Sequence, residues 1–265
     1  MLGFIQTQLI AMIKKEIREL LDSEAARINS RSFIDADPVR FPRSFTDRRD
    51  IEIAALLAST IAWGKRSMII RSGERMFDMM DWQPYNYVID GEFEHLPDGN
   101  IHRTFFAANL RHYLRGLRAI YQRYETLDDF AREVFDRNPH YEGKPWVLAE
   151  AINGALADAN AGVCDCRCLP LSLDKSALKR FNMALRWLVR DDGIVDLGLW
   201  RSLRPADLYI PLDVHVGNIS RGLGLIDRRA NDRKAVEQLT AVLRELRPDD
   251  PVYYDYALFG IGVGV

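Results

Sequence analysis

Apolar residues recur at threes and fours along most of this chain, and nowhere do they alternate long enough to demand a sheet. Between residues 105 and 124, Phe106, Leu110, Tyr113, Leu114, Leu117, Ile120 and Tyr121 trace one side of a helix. Residues 144–159, 175–190 and 232–246 repeat the pattern. In residues 50–80 the run Ile51, Ile53, Ala54, Leu56, Leu57 and Ile61 predicts a buried helix that breaks near Gly64. Met68, Ile69, Met76 and Met79 then continue in a second helix. Residues 90–101 have room for a hairpin, and loops are expected at 35–46, 81–84, 91–99, 161–174 and 191–205. The reading is an all-α bundle with long loops. A chain of 265 residues forms one large domain or two closely packed lobes.

No apolar run approaches the ~20 residues that cross a bilayer, so no membrane span is expected. The first 21 residues superficially resemble a secretion signal. Ile5, Leu9, Ile13, Ile17 and Leu20 keep a helical period, however, and Lys14, Lys15, Glu16 and Arg18 interrupt them. The expected compartment is the cytoplasm, and the N-terminal helix, with so wide an apolar stripe, is expected to pack back onto the C-terminal part. The three cysteines, Cys164, Cys166 and Cys168, suit a reducing compartment. Their alternate spacing lacks a fourth ligand, so a loop with free thiols is favoured over a zinc site.

The net charge is −2, yet residues 175–234 hold 12 Lys and Arg against 7 Asp and Glu, a local +5. Within that stretch Lys175, Lys179, Asn182, Arg186 and Arg190 fall at spacings of 4, 3, 4 and 4, on one face of a helix capped by Asp174 or Ser172. The opposite stripe is Ala177, Phe181, Ala184, Leu185 and Leu188. The basic face is either a solvated surface or a polyanion contact with one lysine near a reacting centre. A second segment places Asp213, after Pro211, at a helix start, with Val214, Ile219 and Leu223 inward and Gly222 and Gly224 at its end. Asp213 is then a plain N-cap, or a fixed carboxylate able to stabilise a developing cation.

The block Pro-Leu-Asp213-Val-His, followed by Val-Gly-Asn-Ile-Ser-Arg-Gly-Leu-Gly, resembles the surroundings of the catalytic aspartate in the helix-hairpin-helix DNA glycosylases. That superfamily includes endonuclease III and the 8-oxoguanine glycosylases. The block from Glu52 through Trp63-Gly-Lys65-Arg66 is similar to their early helix and turn, and Tyr254-Asp-Tyr-Ala-Leu-Phe-Gly-Ile-Gly to a late helix behind the active site. The blocks keep the family's order over residues 45–262. In layout they are nearest the archaeal 8-oxoguanine glycosylase subgroup; the whole chain is also similar to a bacterial family without an assigned activity.

The resemblance implies a two-lobed helical fold, one lobe from residues 1–45 with 195–265 and the other from 46–194, with the active-site cleft between them. It implies a base-excision activity with Lys179 as nucleophile and Asp213 as catalytic carboxylate, AP-lyase chemistry, and damaged duplex DNA as partner. Trp63, Lys65 and Arg66 would meet the duplex, joined by Lys175, Asn182, Arg186 and His215, and affinity should fall steeply with salt. The alternative for Trp63 is a core aromatic. The chain departs from the family in several places. Lys179 and Asp213 are 34 positions apart, with an insert at 191–208. Leu171-Ser-Leu-Asp174 stands where a glycine-rich hairpin normally grips phosphate, and the glutamine of the early turn is replaced around residues 61–63. No terminal four-cysteine motif is present, so no iron–sulfur cluster or other cofactor is expected. A binding protein on the same scaffold without catalysis is the second reading. The third is a metal enzyme pairing the cysteine run with His215 or His102.

Overall fold

The computed structural model describes residues 2–264, with side chains from residue 14 onward. Among the described residues it contains twelve α-helices and one two-stranded sheet: the fold is all-α. Two helices, α1 (Leu2–Ile28) and α2 (Arg31–Ala36), precede a pair of 3-10 turns within residues 38–44. The run rich in apolar residues at 50–80 forms α3 (Arg48–Thr60) and α4 (Arg66–Asp78). The break falls where Gly64 adopts φ +98°, a left-handed conformation that side chains resist. Then come α5 (Pro84–Asp90), a hairpin of β1 (Asn100–His102) and β2 (Phe105–Phe106), α6 (Ala107–Tyr121), α7 (Leu127–Arg137) and α8 (Lys144–Ala159). The last four are α9 (Lys179–Val189), α10 (Val214–Gly222), α11 (Arg233–Leu246) and α12 (Asp255–Val263). No described helix is long and apolar enough to cross a membrane.

The N-terminal helix does pack against the C-terminal one. Leu21, Ala25 and Ile28 are buried, and Tyr254 donates to Asp22 at 2.9 Å. Gly260 of α12 lets the two helices close up: a Cβ there would lie 2.7 Å from Ile28. Leu20, expected inside, lies on the outer side of α1 and is exposed. Ile5, Leu9 and Ile13 are outside the described side chains. The expected helix at 175–190 begins only at Lys179. Residues 175–178 form the approach, with Leu178 at the cap in a left-handed conformation (φ 48°) and neither Asp174 nor Ser172 capping.

At the centre, α3 packs on α9, and Glu52 of α3 is fully buried. Its carboxylate accepts from Tyr121 Oη (3.0 Å), Trp200 Nε1 (2.9 Å) and Leu127 N (2.8 Å), thereby holding the start of α7 and the 191–208 insert against α3. Burial pushes the Glu52 carboxyl upward, against the pull of these donors and Arg48. Removing a buried acceptor with this many donors leaves them unsatisfied. Glu52→Ala is therefore expected to lower stability by about 3–5 kcal/mol, measured by urea unfolding; a loss under 1 kcal/mol would remove Glu52 from this role.

Candidate functional site

Three local structures bring the site together. Asp213 caps α10: its Oδ1 accepts from Val216 N at 3.0 Å, and its backbone carbonyl accepts from Asn231 Nδ2 at 3.1 Å. With one oxygen held, the other (Oδ2) lies 4.0 Å from Nζ of Lys179. Lys179 is the first residue of α9, on a turn locked by Leu178 N donating to Ser176 Oγ (3.1 Å) and Asn182 Nδ2 donating to Ala177 O (3.1 Å). Both charged groups are about a quarter exposed, at 25% and 23%. The third structure is the turn after α3, which presents Trp63 to the same cleft.

The cleft has a volume of about 790 Å³. Phe33, Asp37, Trp63, Arg66, Arg180, Arg186, His215, Asp255 and Phe259 contribute to its walls. Trp63 is half-buried, edge-on to His102 (centroids 4.8 Å apart), with the Arg180 guanidinium 5.0 Å from its ring centre. His102 bonds Trp63 O (2.9 Å) and Ser72 Oγ (3.0 Å), and burial lowers its pKa. Trp63 is thus a wall of the cleft, braced from behind. Lys65 is exposed at the cap of α4, and Arg66 lies 4.0 Å from Asp37 and over the rings of Phe33 and Phe259. His215 is exposed, its Nδ1 3.2 Å from Gly262 O.

The expected basic face of α9 is corrected. Lys175 is exposed but precedes the helix and does not line the cleft. Asn182 is 1% exposed and Arg186 4% exposed, so neither forms part of an open phosphate-binding surface. Arg186 reaches Asp196 (3.3 Å) and Asp255, while Arg190 holds Asp250 (2.9 Å), Asp192 (3.1 Å) and Asp196. The face is spent on internal ion pairs. Elsewhere in the basic stretch, Arg204, Arg228 and Arg233 also pair with nearby acids. Cys164 and Cys166 are exposed; Cys168 is buried, with its thiol 3.4 Å from Asn109 O. Neither His102 nor His215 approaches them through any of these bonds, and among the described residues no three His, Cys, Asp or Glu groups are arranged around a common metal position.

Two carboxylates of the cleft escaped the sequence reading. Asp37 sits in a loop, its Oδ1 accepting from Val39 N at 3.1 Å, and burial raises its pKa against the pull of Arg186, Arg66 and Lys179. Asp255 begins α12 inside a segment already noted for its resemblance, but nothing in its spacing marked it as a site group. Burial pushes its carboxyl up to about 6, opposed by Arg186 and Lys179 and reinforced by Asp213.

The chain matches the family described as "Protein of unknown function (DUF2400)" over residues 37–264. It belongs to that family. The match spans the cleft from Asp37 to Phe259, so every wall except Phe33 lies within the DUF2400 segment. No curated protein and no solved structure matches the chain.

A folded pKa near 6 against an unfolded value near 3.8 means that the native state binds the extra proton between those limits. Stability from Asp255 is full below about pH 4 and is lost as the pH rises through 6. The expected outcome is that the stability difference between the parent and Asp255→Asn shifts by about 3 kcal/mol, against the parent, from pH 3.5 to 6.5. Denaturant unfolding across that range measures it; parallel profiles for the two proteins contradict the assignment.

Proposed function

We propose that this protein is a DNA glycosylase with AP-lyase activity, using Lys179 and Asp213. The observation that carries the reading is their separation of 4.0 Å across a cleft of about 790 Å³, within the usual range for small-molecule sites. Such a volume admits a nucleotide flipped from the duplex. The two-lobed arrangement belongs to the same proposal: Phe33, Asp213 and Phe259 come from the segments 1–45 and 195–265, and Trp63, Arg66 and Lys179 from 46–194.

The chemistry follows from these groups. Lys179 attacks C1′ as the neutral amine, its proton having been lost to solvent so that Asp213 stays ionised. The bond from C1′ to the base nitrogen breaks, and the base leaves with that electron pair and takes a proton. The Asp213 carboxylate faces the positive charge forming on the sugar. Opening of the sugar ring gives a Schiff base between Lys179 and C1′; loss of a C2′ proton then expels the 3′ phosphate by β-elimination. A duplex would be held by Lys65 and Arg66 beside the cleft and by the exposed Lys175 ahead of α9, whereas Arg186 and Arg190 are already committed.

Borohydride reduction in the presence of oligonucleotides carrying damaged bases should trap a covalent adduct. Lys179→Gln is expected to reduce adduct and base release to background while changing stability by no more than about 0.5 kcal/mol. A full yield of adduct from the variant would eliminate Lys179 as nucleophile. Duplex binding without any adduct from the parent would instead support a retained scaffold that binds DNA without excising a base. With these three cations available, the slope of log affinity against log salt should be about −3, shallower than the bare charge pattern implied. A slope near −6 would require contacts this cleft does not supply.

A further inference from the structure

Behind Lys179 lies a second, smaller chamber of about 210 Å³. Lys179 and Arg180 line both spaces and so form the wall between them. The two sides differ in charge. The main cleft carries three carboxylates, Asp37, Asp213 and Asp255, whereas no Asp or Glu lines the chamber. Arg180 is partly buried and donates to Thr60 O, but among the described residues it ion-pairs with no carboxylate. A guanidinium taken from water without a counter-charge is costly and is normally found with an anion. The hydroxyl of Tyr113, which also lines the chamber, is fully buried and has no partner in hydrogen-bonding geometry, with the Thr60 side chain beside it. Burial keeps both the Tyr113 hydroxyl and the neighbouring Cys168 thiol in their neutral forms. The chamber therefore offers donors and positive charge, and no competing anion.

We propose that this chamber is a binding site for a small phosphate group, either free phosphate or a terminal phosphomonoester, held by Arg180 and the Tyr113 hydroxyl. Arg180 supplies paired N–H donors matched to two phosphate oxygens, and Tyr113 a further donor. The size argues for a terminal or free group, because a diester inside a chain must leave the chamber at both ends. The site stands apart from the excision reading: it requires neither DNA nor a lysine nucleophile.

Calorimetric titration of the full chain with inorganic phosphate tests it. Binding is expected, weakened at least tenfold in Arg180→Met and several-fold in Tyr113→Phe. Arg66→Met, which removes a cation of the main cleft, should leave phosphate affinity within about twofold of the parent. Should Arg180→Met fail to fold, Tyr113→Phe and Arg180→Lys still report, since each keeps most of the side chain it replaces. Displacement of bound phosphate by a 5′-phosphorylated trinucleotide, and not by its unphosphorylated form, assigns the terminal monoester as the ligand; retention against both assigns free phosphate. No binding to the parent, or unchanged affinity in both Tyr113→Phe and an Arg180 variant, overturns the proposal.

Discussion

The arrangement rests on two buried arginines one helical turn apart, Arg186 in α9 and Arg190 at its C-cap, each surrounded by acids from other parts of the chain. Arg186 joins Asp196 and Asp255; Arg190 joins Asp192, Asp196 and Asp250. These contacts fasten the loop after α9, the turn before α12 and the start of α12 to a single helix. Asp192 extends the network to the end of α1 through Asn29 (3.0 Å) and turns its own loop by accepting from the amides of Ile194, Val195 and Asp196. The faces of Tyr253 and Tyr256 close over the guanidinium groups. Breaking such a cluster by removing one member leaves a buried charge without its partner, which costs far more than an exposed pair would.

This network also sets the floor of the cleft. Arg186 lines the cleft and pairs with Asp255, whose carboxyl also lies within the field of Lys179. Four aspartates share two guanidinium groups, so the cluster carries more negative than positive charge in a dry environment. The response is visible at Asp255 and Asp196, whose carboxyls are both raised chiefly by burial. The cleft thus combines a fixed carboxylate at a helix cap, Asp213, with one at the network's edge whose protonation changes near pH 6. Both face a lysine fixed by the first turn of α9.

Much of the fold was legible because a helical period survives in residue order. The runs at 144–159 and 232–246 are helices almost residue for residue, α8 and α11, and the break at Gly64 is where a glycine conformation is needed. Spacing, however, identifies which residues share a face and says nothing of what that face meets. Lys175, Lys179, Asn182, Arg186 and Arg190 have the same periodicity whether they confront water, phosphate or buried acids. The acids that decide the matter come from residues 192, 196, 250 and 255, and only tertiary packing brings them to α9. The helix start at Lys179 was hidden for a related reason: its cap is an apolar leucine in a left-handed conformation, a choice no capping side chain announces.

Asp213 was legible as a cap because a helix start is where sequence carries its strongest local signals, whereas Lys179 was singled out by the resemblance and not by any local signal. What surrounds them was not legible. One wall, made by consecutive residues of α9, faces three carboxylates on one side and a donor-lined chamber with none on the other. An ammonium beside carboxylates is held in place and has a proton acceptor at hand, whereas the guanidinium of Arg180 has a carbonyl acceptor but no counter-charge. Consecutive residues at a helix start point about 100° apart. Lys179 and Arg180 can therefore serve different surroundings while sharing one wall, and the partition of charge across that wall follows from the turn of the helix.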